Sequence, residues 1–255
     1  MPQFSSLKKP PLSQEVEKQI RTFINSGVYK PGDKLPPERE LVDQFQVSRT
    51  TVRDALRNLQ NRGLISVKRG VNAGAYVSEP NPYPITECIE NLIQMKRVNF
   101  AHLIEIRLYV EPDVASAVAR YHTPQDIDTL TELLDKAEKT LGSSRKKARL
   151  INVGFHFEVA KITGNALTIF LCQSITQVHS AMIIEMTRTK LDKKAIGKLI
   201  AEHRTILEAI AAKDPEEAFT RTRDHLVETY HTYSKIIPDA FDHSADERIK
   251  HFASL

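Results

Sequence analysis

The sequence predicts a mainly α protein in two parts: three helices and a β-hairpin, then a longer all-helical region. Three observations lead there. Apolar residues recur at helical spacing along almost the whole chain, the paired β-like runs are short and close together, and a proline-dense stretch separates the parts. At 255 residues the chain can hold two ordinary domains, each with its own core, and 41% hydrophobic with 27% charged residues is a globular composition.

Taken in order, Ser13 is placed to cap a first helix, on which Val16, Ile20, Phe23 and Ile24 share a face. Gly27 ends it, and Lys30-Pro31-Gly32-Asp33 has the composition of a turn. Pro37 suits the first turn of a second helix over Glu38–Phe45, with Leu41, Val42 and Phe45 turned inward. Gln46-Val47 makes a short turn. Ser48 then caps a third helix running to about Arg62, buried through Val52, Ala55, Leu56 and Leu59 and stopped by Gly63. Leu64–Val67 and Ala75–Val77 are β-like, joined by the glycine-bearing tip Arg69–Gly74. Two helices joined by a tight turn and followed by a hairpin describe a winged helix-turn-helix over residues 1–78.

Residues 79–84 read as a stiff linker, because Pro80, Pro82 and Pro84 disfavour both strand and helix. Helical patterns follow over about 85–97, 100–121, 124–141, 146–163, 166–188, 192–212 and 215–236. Thr123-Pro124 and Asp214-Pro215 mark starts and Gly164-Asn165 a stop. The second domain is therefore expected over residues 85–238, with a polar, poorly ordered tail over 239–255.

Charge separates the two parts. Residues 1–80 carry 13 Lys and Arg against 8 Asp and Glu, whereas residues 81–255 carry 23 against 24. A basic first part on a neutral second part suits a nucleic-acid module, although a solvated basic domain would have the same balance. Cys88 and Cys172 form no CxxC pair and read as reduced thiols. Met1–Pro11 has no apolar core like that of a secretory signal, and apolar runs such as Leu167–Cys172 are too short to span a bilayer, so a cytoplasmic location is expected.

The third helix suits a DNA major groove. Arg49, Arg53 and Arg57 are spaced by four and share the face opposite its apolar stripe. Arg49, Thr50 and Thr51 lie at its N-terminal tip, where free N–H groups and the positive helix end favour phosphate. Arginine can fork onto guanine, and threonine hydroxyls suit phosphates or base edges. Arg39, and Arg69 with Gly70 at the hairpin tip, would widen the contact. Leu35–Leu41, Val47–Leu56 and Gly63-Leu64-Ile65 together resemble the GntR family of transcription regulators, almost continuously over residues 13–78. The resemblance implies a dimer, more often repressor than activator, on a short palindromic operator. It implies base contacts by Arg39, Arg49 and Arg53, phosphate contacts by Ser48, Thr50 and Thr51, and a minor-groove contact by Gly70.

The second part is similar to the FadR-type effector domain (FCD) of that family, which implies an all-α antiparallel helical bundle. The similarity rests on Ile106–Glu111, Phe155-His156 with Gly164-Asn165, Glu202–Leu207 with Ala209-Ile210, and Asp224-His225-Leu226. It implies a divalent metal, zinc or nickel by donor type, held by His156, His203 and His225, with Asn152 where many relatives have an aspartate ligand. Spacing alone agrees: Asn152 and His156 share a helical face, and His203 and His225 come from two later helices, although an isolated histidine is more often a hydrogen-bonded core residue. The remaining histidines, His102, His122, His179, His231, His243 and His251, read as structural or exposed. Arg107 and Glu111 at i, i+4 read either as an intrahelical ion pair or, by resemblance, as effector-binding residues, with Arg107 gripping a carboxylate bidentately.

A ligand-responsive DNA-binding regulator is thus the leading reading, with a small carboxylate as effector and no catalytic residues assigned. A metal-dependent enzyme acting on a carboxylate is the alternative, weakened by the absence of HExxH and nucleophile motifs. A metal-free acyl-CoA-sensing regulator is the other, and the histidine triad argues against it.

Overall fold

The computed structural model describes residues 11–79, 81–186, 192–238, 241 and 245–254, and divides the chain into two compact units, residues 1–84 and 85–255. In the first unit, helices α1 (Leu12–Asn25), α2 (Glu38–Phe45) and α3 (Arg49–Asn61) precede strands β1 (Ile65–Lys68) and β2 (Gly74–Val77). The strands pair antiparallel with Ile65 opposite Val77 and Lys68 opposite Gly74. The segment before α2 adds a bridge from Lys34 to Tyr76, which anchors the hairpin to the helices. Val16, Ile20, Leu41, Val52, Leu56, Leu59, Ile65 and Val77 close one core beneath it.

Two local details depart from the sequence reading and one refines it. Pro11, not Ser13, precedes α1, since a fixed proline φ suits a helix start without a side-chain cap. Gln46, not a glycine, holds the left-handed position (φ 52°) between α2 and α3, and its amide donates back to the Asp43 carbonyl at 2.7 Å. Tyr83 and Pro84, expected in the linker, already belong to the next helix, where the missing proline N–H lies in the first turn and forfeits no bond.

The second unit consists of α4 (Tyr83–Gln94, its first two residues in the first unit), α5 (Phe100–Tyr121), α6 (Pro124–Leu141), α7 (Arg145–Ile162), α8 (Ala166–Met186), α9 (Lys193–Ala211), α10 (Pro215–Ile236) and α11 (Asp246–Ser254). Short connections turn the chain back between α5 and α8 and between α9 and α10. Asn99, Thr123, Ser144, Asp192 and Asp214 each accept a backbone N–H at a helix start. By length and composition α8 is apolar enough to cross a membrane, contrary to the sequence reading, with mean hydropathy 1.4 over Ala166–Glu185. Its Cys172, Ile175, Val178 and Ile183 are buried in the bundle.

The tail expectation is corrected. Helix α11 docks on α5 and α10, burying Ala245 and Ile249, while Arg248 grips the Glu105 carboxylate at 2.6 and 2.9 Å. Its polar composition hid two apolar contact points in a short segment. His243 lies outside the described residues.

Two apolar clusters stack along the bundle. One gathers Phe100, Ile104, Leu108, Ile196, Ile200, Leu226 and Tyr230; the other gathers Ala115, Val118, Leu130, Phe155, Val159, Ile206 and Ile210. Where they meet, α5, α7, α9 and α10 each contribute buried polar side chains: Arg107 and Glu111, Asn152 and His156, His203, and His225.

Candidate metal centre and DNA-facing surface

The three histidines are brought together. His203 Nε2 lies 2.9 Å from His156 Nε2 and 3.0 Å from His225 Nε2, all three side chains being buried. Each opposite ring nitrogen faces an oxygen acceptor: His156 Nδ1 meets Glu111 Oε2 at 2.9 Å, His203 Nδ1 meets Asn152 Oδ1 at 2.8 Å, and His225 Nδ1 meets Glu202 Oε2 at 2.8 Å. A carboxylate or amide oxygen can only accept, so each Nδ1 is placed to donate and each Nε2 is turned inward, where a neutral ring presents a lone pair. Three converging lone pairs repel in a dry interior unless a cation lies among them, so the donor set fits a divalent ion.

Asn152 is thereby moved from its expected place among the ligands. The two nitrogens of an imidazole point in divergent directions, so an oxygen bonded to His203 Nδ1 cannot also ligate an ion at Nε2. Asn152 orients the ligand instead. Glu202, which spacing did not single out, does the same for His225, reaching from α9 to α10.

Glu111 serves two partners. Its oxygens accept from Arg107 Nε at 2.8 Å and Nη2 at 3.1 Å as well as from His156. The i, i+4 ion pair therefore exists, but buried rather than on the surface. It spends the Nε/Nη2 edge of the guanidinium, so the bidentate grip expected along that edge is not free. Arg107 Nη1 faces the His179 ring, 3.1 Å from Nε2, and His179 stacks on Phe100 at 4.9 Å. His179, read from sequence as structural or exposed, is buried beside the triad; its place on the Ile175, His179, Ile183 stripe was the available signal. A cavity of about 20 Å³ joins Arg107, Asn152, His179, Thr229 and Tyr233 to the three ligands.

Burial drives the titration here. It pulls His156 down to about 4, although Glu111 opposes it, and holds His203 and His179 well below the usual imidazole value. Burial also pushes Glu111 upward, but Arg107 and then His156 outweigh it and keep the carboxyl well below its ordinary range. The His156, His203 and His179 rings are thus neutral and the Glu111 carboxylate charged at neutral pH. Elsewhere, His102 closes a capping box with Asn99, and His122 sits at the α5 end against the Val118 carbonyl. A cavity of about 570 Å³ is an open polar groove between α1 and α3, where buried Glu17 pairs with Arg62 at 3.0 Å.

On α3, Ser48 caps Thr51 N–H at 3.1 Å, and its hydroxyl lies 2.9 and 2.8 Å from those of Thr50 and Thr51. Arg39, Arg49, Arg53, Arg57, Arg69 and Gly70 are all exposed. Glu38 Oε2 accepts from both Arg49 Nε (3.3 Å) and Arg53 Nε (3.0 Å), holding the two arginines side by side, a tie that sequence spacing did not suggest.

Residues 12–77 match the family described as bacterial regulatory proteins, gntR family, and residues 102–228 match the FCD domain. The chain is 31% identical over 216 residues to the Uxu operon transcriptional regulator of Escherichia coli (strain K12), spanning 84% of this chain and 83% of that protein. The chain belongs to the GntR family. Over 212 residues it is 31% identical to the HTH-type transcriptional regulator LutR of Bacillus subtilis (strain 168), covering 80% of this chain and 93% of LutR. Among solved structures, Streptococcus agalactiae GntR superposes with TM-score 0.65 at 26% identity, over 86% of this chain and 99% of that one. GntR regulators bind DNA and respond to small molecules, so this chain is a DNA-binding transcriptional regulator rather than an enzyme.

The depressed His156 has a pH consequence. An unfolded histidine titrates near 6.5 and His156 at about 4, so between those values the unfolded chain binds a proton that the fold refuses. Stability should therefore fall as pH drops below about 6.5. Metal-free protein melted from pH 7 to 5, above the range where most carboxylates titrate, should lose Tm steadily; a flat Tm contradicts buried, neutral imidazoles.

Proposed function

We propose that this regulator is a cytoplasmic homodimeric repressor whose FCD domain holds a divalent ion and releases DNA when a small carboxylate binds. The observation that carries the reading is the meeting of three buried imidazoles with a buried guanidinium at one cavity. His156, His203 and His225 would hold the ion, zinc or nickel by donor type, and the ion would supply positive charge for an anion in the cavity. Asn152 sharpens that charge: an amide orients His203 without neutralising the ion as an aspartate would. Arg107 would meet the anion through Nη1.

Arg39, Arg49 and Arg53 read bases in this proposal, Ser48, Thr50 and Thr51 hold phosphates, and Arg69 with Gly70 enters the minor groove of a short palindrome. Two copies suit a palindrome, and α4 leaves apolar Ile85 and Leu92 exposed, with Met95 just beyond its end, as a dimer surface would require. The effector signal would pass through α5 and α10, which pack together and carry Arg107, Glu111 and His225.

Two measurements test this. Arg49→Ala and Arg53→Ala should each cost about 1–3 kcal/mol on DNA selected from a random pool and relax base preference. Unchanged titrations would remove these residues from the interface. Purified protein should carry one divalent ion per chain and lose Tm in chelator; metal-free protein whose melting ignores added zinc and nickel would leave the triad a core polar cluster.

A further inference from the structure

We infer that His179 is a displaceable plug in the effector cavity, occupying the place on Arg107 Nη1 that the effector carboxylate takes. The inference rests on the carboxylate reading above and adds a residue and a change of partner to it.

Arg107 is short of free donors. Nε and Nη2 are engaged by Glu111, which itself is tied to His156, so displacing Glu111 would disturb a metal ligand. Nη1 meets only a neutral imidazole, at 3.1 Å from Nε2 and 3.4 Å from Nδ1. A carboxylate bonds a guanidinium more strongly than a neutral ring does, because the bond is charge-assisted on both sides. Nη1 is where an incoming anion gains most and disturbs least.

Size makes the same point. The cavity of about 20 Å³ has room for about one water, so even a two-carbon acid needs a side chain to leave. The imidazoles of the triad are pinned at Nδ1, whereas His179 is held by Arg107 and by its stack on Phe100. Thr229 Oγ1 is buried, lines the same cavity and has no hydrogen-bond partner among the described residues. An acid with a hydroxyl or second oxygen would satisfy it once the ring has moved. Because Phe100 also packs edge-on to Tyr233 and Phe241, loss of the stack would be felt at α10 and at the segment leading to α11.

Zinc-loaded protein with isotope-labelled histidine, titrated with acetate and followed by NMR, tests the plug. The His179 ring signal, assigned by its loss in His179→Gln, should leave the ring-current field of Phe100 as acetate saturates. His179→Ala should bind acetate about tenfold more tightly, the worth of one contested charged hydrogen bond, even as its Tm falls. His179→Gln, with an amide oxygen that still accepts from Nη1, should stay within about twofold of wild type. A merely structural histidine would lose affinity and Tm together. If acetate binds and the His179 signal stays still, or His179→Ala binds no more tightly, the plug is wrong and the carboxylate reading stands. If acetate binds neither protein, both fall.

Discussion

Three imidazole lone pairs facing one another at about van der Waals distance or closer, inside a helical bundle, are the constraint around which the second unit is built. Nothing in an apolar core would hold them there. They are held because each ring is pinned from behind, by Glu111, Asn152 or Glu202, and because apolar clusters on either side fix the helices that carry them. A buried polar layer of this kind stabilises only when every member is satisfied. Here the outer nitrogens each meet an oxygen and the inner ones meet only each other, an arrangement that fits a cation.

Glu111 ties that layer to Arg107. One carboxylate serves both Arg107 and His156, so a change at either is felt at the other without any long path. Pro112 follows directly and removes the N–H that the Leu108 carbonyl would otherwise receive, leaving α5 less rigid at this turn. The DNA-facing surface follows different physics. Its charges are exposed, its order comes from the Ser48 cap and the Glu38 tie, and its strength would depend on salt.

Most of the fold was legible because periodicity and caps agree: Ser48, Thr123 and Asp214 announced helix starts that the structure keeps. The ligating histidines were legible through spacing and resemblance together. What was not legible depends on side chains that reach across helices. Asn152 looks like a ligand because it sits one turn before His156, yet its oxygen turns to His203. Glu202 has no local pattern, and the apolar stripe that carries His179 says only that it is buried, since their partners lie on α10 and α5. Helix α11 was missed because a short segment docks through Ala245 just before it, Ile249 and Phe252, too few for a periodic signal.

The site depends on one tautomer: Nδ1 protonated and Nε2 open on all three histidines. Long-range proton–nitrogen NMR of imidazole-labelled, metal-free protein measures it directly. Protonated Nδ1 and bare Nε2 are expected for His156, His203 and His225, with added zinc shifting the Nε2 resonances most. A protonated Nε2 on any of them, or zinc shifting an Nδ1 resonance as a ligand, would contradict it.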